Sequence, residues 1–106
     1  MATAAFRQRL PNRRAHELLS FEHAGIRFTA GVGRYEDGRL AAIFLNSAKH
    51  GTAVDVNARD AAVAASLLLQ HGCHVDTLRR ALTRNNDGSA SGPLARALHL
   101  LAMQRG

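Results

Sequence analysis

The sequence is short of cysteine, lysine and aromatic residues, and each shortage excludes something. One cysteine, Cys73, among 106 residues leaves no internal disulfide and no Cys-x-x-Cys pair, so a reduced, cytoplasmic setting is expected. No run approaches the ~20 apolar residues that span a bilayer, and the first residues lack the apolar region of a signal peptide. A membrane partner is therefore not expected. Tryptophan is absent, and Phe6, Phe21, Phe28, Phe44 and Tyr35 make up the aromatic complement, which leaves few platforms for stacking bases. Lys49 is the lone lysine among 14 basic residues. The rest are arginine, whose planar fork suits phosphate and carboxylate. What is present, 46% hydrophobic and 21% charged, is the composition of a single globular domain.

The net charge of +6 is unevenly spread. Arg7, Arg9, Arg13 and Arg14 fall within residues 1–16 beside no acid, whereas residues 17–106 hold ten bases against eight acids. The chain divides accordingly into a basic N-terminal arm, 1–16, and a nearly balanced domain, 17–106. Pro11 biases Leu10 toward an extended conformation, so the arm reads as a lead-in and not a helix. A nucleic acid, a nucleotide or an acidic protein surface suits such an arm; a merely solvated arm is the other reading.

From residue 17 the pattern alternates. In Gly25-Ile26-Arg27-Phe28-Thr29-Ala30-Gly31-Val32 the residues Ile26, Phe28, Ala30 and Val32 share one face. Asp37-Gly38 signals a hairpin. A three-residue loop, Glu36-Asp37-Gly38, pairs Tyr35 with Arg39 and, counted outward, Val32 with Ala42 and Ala30 with Phe44. That register expects Leu40, Ala42 and Phe44 on the core face and Ala41, Ile43 and Leu45 on the other. Leu18–Glu22, turning at His23-Ala24-Gly25, supplies a third strand. The glycines at 31 and 33 lie inside a strand, not between a strand and a helix, so they read as room for a bulge or a close neighbour and not as a phosphate loop.

The period becomes helical from Asp55, the expected N-cap, to Gly72, the expected C′ residue. Apolar nearly all round, this helix is expected to be central. A short helix follows over about 75–84, then a polar loop, 85–91, and a third helix opening at Pro93. The expected architecture is α+β: a two- to three-stranded antiparallel meander followed by three helices, in two layers.

Chemistry-bearing clusters are few. His71-Gly72-Cys73-His74 packs three potential ligands into four residues with no second pair, so neither a metal nor another cofactor is expected, and His71 suits the negative end of a helix. Cys73 reads as a small buried hydrophobe. Arg59, Ser66 and Gln70 fall near one face of a greasy helix, where a charge needs a partner. Structural pairing and an anion or partner contact are both open for Arg59.

Three segments in order resemble a known family: Leu10-Pro11-Asn12-Arg13-Arg14; Gly33-Arg34-Tyr35-Glu36-Asp37-Gly38-Arg39-Leu40-Ala41-Ala42-Ile43-Phe44-Leu45; and Arg59-Asp60-Ala61-Ala62-Val63-Ala64-Ala65-Ser66-Leu67-Leu68-Leu69-Gln70-His71-Gly72. They are similar to the TSCPD-type domain found near the C-terminus of adenosylcobalamin-dependent ribonucleotide reductases, over roughly residues 7–103. Ala42 stands where that family usually has Glu. The resemblance implies a small α+β unit that docks on something larger or on itself. It does not imply reduction by this chain alone, which has one cysteine and no barrel to hold a radical. The resulting expectation is a non-catalytic interaction module, a homodimer or the partner of a reductase subunit, in which Arg13, Arg14, Arg34 and Arg59 meet an anion or a partner. The alternative is a nucleic-acid-binding protein led by the arm.

Overall fold

The computed structural model describes residues 16–105. Arg13 and Arg14 lie outside the described residues, and His16, expected in the arm, opens the first strand. Three antiparallel strands follow one another as a meander, β1 His16–His23, β2 Ile26–Arg34 and β3 Leu40–Ser47. Three helices complete the α+β order: α1 Ala53–Gln70, α2 Val75–Ala81 and α3 Pro93–Arg105. Ala24 and Gly25 join β1 to β2 with both φ positive, the two-residue turn whose twist matches its strands.

The second turn forms as its Asp-Gly signal predicts. Tyr35 N–H donates to Arg39 O and Gly38 N–H to Tyr35 O, each at 2.9 Å, and Gly38 takes φ 93°. The register beyond it differs from the expected one. Arg34 faces Leu40 but Gly33 faces Ala42, so Ala41 is an extra residue, a β-bulge. From there Val32 pairs with Ile43 and Ala30 with Leu45. The one-residue slip exchanges the faces. Ile43 and Leu45 are buried with Phe28, Ala30 and Val32, whereas Phe44 is 46% exposed on the outer face. Every position from Leu40 to Leu45 is apolar, so alternation could not choose between the registers.

The inner face of the sheet carries the core. Phe21 and Phe28, cross-strand neighbours, stack with centroids 5.7 Å apart. Leu98 and Leu101 of α3 join the same cluster, as do Ala58, Ala62, Ala65 and Leu69 of α1. His23 Nε2 lies 2.8 Å from Ser91 O, tying the end of β1 to the approach to α3.

Two expectations for α1 are corrected. Its N-cap is Thr52, whose Oγ1 accepts from Asp55 N–H, and not Asp55. The helix is also not central. It lies along β3, and Val56, Val63 and Leu67 are 42–53% exposed. Gly72, with φ 98°, follows its end as predicted. Helix α2 stops at Ala81, short of the expected 84, because Leu82 is extended and Arg84 bridges to Ala90 across the loop.

Candidate functional site

Antiparallel pairing points alternate backbone groups of an edge strand away from its neighbour. On β3 those of Ile43 and Ser47 point outward, and α1 receives them. Ser66 Oγ accepts from Ile43 N–H and donates to Ile43 O, both at 2.9 Å. Gln70 Nε2 donates to Ala41 O at 3.0 Å, and Asp55 Oδ1 accepts from Ser47 N–H at 2.8 Å. The polar stripe of α1 thus acts as a substitute strand and closes this edge.

Asp55 is the hub of that closure. Its Oδ2 also accepts from Gly51 N–H at 3.2 Å and from Arg59 Nε at 3.0 Å. Donation by the Ser47 N–H, helped by Gly51 and Arg59 and opposed by burial, holds the carboxyl below its usual range. The guanidinium of half-exposed Arg59 pairs with Asp55.

Arg34 sits elsewhere, at a cleft of about 450 Å³ where the β2–β3 turn meets the end of α1, the start of α2, and α3. The floor is apolar, made by Leu40, Leu69, Val75, Leu98 and Leu101. Around the rim, cations meet carboxylates. Arg34 Nε lies 3.3 Å from Glu17 Oε1, and its Nη1 donates to Gly38 O at 3.0 Å. Arg39 Nε meets Asp37 Oδ2 at 2.7 Å while its guanidinium stands 4.8 Å over the Tyr35 ring. Arg79 Nη2 meets Asp76 Oδ1 at 3.1 Å. The backbone N–H of Arg39, then its guanidinium, donate to Asp37 and keep that carboxyl below its ordinary value. Such a cleft is charge-balanced and suits an apolar group with a polar fringe.

Half-buried Cys73 also lines the cleft. Its Sγ donates to His74 O at 3.6 Å, while His71 Nδ1 donates to Leu67 O at 2.8 Å, as a ring at a helix C-terminus should. Thiol and ring both serve the backbone in these contacts, and among the described residues no hydrogen bond joins them. Of the four arginines expected at a site, Arg34 and Arg59 lie on different parts of the molecule, each paired with an acid. Arg39 and Arg79, which share the cleft with Arg34, were not legible as partners, because three separate elements bring them together.

The outer surface carries a second feature. On the face of the sheet away from the core, Leu18, Gly31 and Phe44 form one cross-strand row. Leu18 is 79% exposed, and a Cβ at Gly31 would meet Leu18 Cδ2 and Phe44 Cδ2, each at 3.8 Å. At ~100° per residue, Val56, Val63 and Leu67 share a stripe of α1 within ~40°. That stripe adjoins the polar one, on its side away from the core. Because the polar stripe meets the β3 edge, the apolar one lies toward the outer face that bears Phe44. Leu18, Gly31, Phe44 and the α1 stripe make an exposed apolar belt across β1, β2, β3 and α1. The sequence places Val63 and Leu67 on a helix expected to be buried, and Phe44 on the core face of the hairpin.

No protein-family model, no curated protein and no solved structure matches this chain.

Proposed function

We propose that the chain is a binding module that acts by docking, without catalysis of its own, and that its belt is covered by a second copy. The belt is the observation that carries this reading. Soluble monomers rarely leave contiguous apolar surface of more than a few hundred Å² uncovered, and here Leu18, Phe44, Val56, Val63 and Leu67 are all exposed. A second copy suits the belt because its polar neighbours carry both signs. Glu22 and Arg27 are paired across β1 and β2 on the same outer face, so a two-fold axis can bring each against its complement. The resemblance to the TSCPD-type domain supports the same reading, and it implies a larger reductase-type subunit as a further partner and a setting in nucleotide metabolism.

Size-exclusion chromatography with light scattering on the full chain at tens of micromolar tests it. Twice the chain mass is expected, falling to the single mass in the double variant Phe44→Glu, Val63→Glu with unchanged far-UV circular dichroism. A native chain that runs as a monomer at that concentration overturns self-association.

A further inference from the structure

A second hollow, about 240 Å³, lies between α2, the 84–90 loop and α3. It shares no residue with the belt. Arg79 comes from α2, Arg84 from the loop, and Arg96 and His99 from one face of α3, three residues apart. Among the described residues no carboxylate lines it. Of the two acids nearest in sequence, Asp76 pairs with Arg79 Nη2 itself at 3.1 Å, and Asp87 accepts from the N–H and hydroxyl of Ser89 at 2.9 and 2.6 Å. The Ser89 hydroxyl, then its N–H, keep Asp87 below its ordinary value.

Arg79 is paired with Asp76, which leaves Arg84 and Arg96 as the hollow's positioned cations. Arg84 Nη1 and Nη2 donate to the carbonyls of Gly88 and Arg79 at 3.3 and 3.4 Å, which orients the guanidinium but supplies no counter-charge. Among the described residues neither Arg84 nor Arg96 forms an ion pair. Arg79 Nε is buried with no acceptor. That atom is closed to solvent and Arg79 is already paired with Asp76, so Arg84 and Arg96 are the cations that need negative charge.

We infer that this hollow is a binding site for a phosphoryl group. A tetrahedral anion with several acceptor oxygens can meet the guanidinium forks of Arg84 and Arg96 from different directions. It would offset the mutual repulsion of Arg84 and Arg96. The group could belong to a small phosphate ester or to a polynucleotide backbone; the hollow recognises the chemistry they share.

The test is a titration of the isotope-labelled full chain with inorganic phosphate, followed by amide and arginine Nε resonances, with sodium chloride at matched ionic strength as the reference. Saturable shifts are expected at residues 88–90 and at the side chains of Arg79, Arg84 and Arg96. Arg96→Gln and Arg84→Gln should each weaken the apparent affinity tenfold or more, Arg96→Lys less, and Lys49→Gln, in the exposed loop between β3 and α1, not at all. Shifts equalled by chloride, or an affinity that both Gln variants leave unchanged, overturn the site. Adenosine monophosphate and a twelve-residue oligothymidylate without terminal phosphate then separate the sources. Tighter binding of the mononucleotide assigns a phosphate ester, and tighter binding of the oligomer assigns a backbone. Failure of both to compete with inorganic phosphate overturns the assignment to a phosphoryl ligand.

Discussion

Ser66 does the work of a missing strand at one point, giving and receiving a hydrogen bond at Ile43 within buried surroundings. Ser66→Ala removes both partners and leaves a buried N–H and C=O unpaired. The expected loss is about 1–3 kcal/mol in urea unfolding, with the denaturant slope unchanged. Asp55 carries a pH dependence. Its carboxyl binds a proton less readily folded than unfolded, because Ser47, Gly51 and Arg59 donate to the ionised form. Its stabilising contribution is therefore complete above the unfolded value of about 4 and disappears as pH falls through the lower folded one. Unfolding followed from pH 7 to pH 2 should show a steeper loss of stability for the native chain than for Asp55→Asn, the two curves converging at the acid end. Equal slopes would remove Asp55 from the role of hub.

At the scale of elements, the hairpin separates two kinds of information. Its turn was readable, since Asp37-Gly38 demands a positive φ where Gly38 takes it. Its faces were not readable, because the bulge at Ala41 reverses them beyond Gly33. The reversal has a measurable consequence. Ile43→Ala should cost about 2–5 kcal/mol as a buried deletion, and Phe44→Ala clearly less, since the ring is 46% exposed. Denaturation at low micromolar protein, where self-association contributes least, compares them. The opposite order would restore the unbulged register. Helix α1 repeats the lesson: its apolar sequence suggested full burial, yet Ser66, Gln70 and Asp55 dock it edge-on to β3 and leave Val56, Val63 and Leu67 outside.

For the whole molecule the question is what such a surface costs when left uncovered. Domains of this size carry about 5–15 kcal/mol of net stability, and mutual burial of two belts adds to it in a concentration-dependent way. The midpoint of thermal unfolding should accordingly rise with protein concentration for the native chain and stay constant for the variant Phe44→Glu, Val63→Glu. A concentration-independent midpoint for the native chain would contradict a dimer held by the belt. Charge is organised at this scale too. Residues 75–106 hold five arginines against two acids, and folding brings Arg79, Arg84 and Arg96 around one hollow that sequence spacing did not announce.

Local chemistry by itself determined the order of elements. Period-two alternation placed β1 and β2, the Asp-Gly turn closed the hairpin, and Pro93 and Gly72 marked helix boundaries, because each depends on backbone preferences of a few adjacent residues. The tertiary structure alone decided which face of β3 is buried, what seals its edge, and which arginines converge. Those outcomes rest on a one-residue bulge and on hydrogen bonds linking Ile43 to Ser66 and Ala41 to Gln70, between groups that meet only once the chain has folded back on itself.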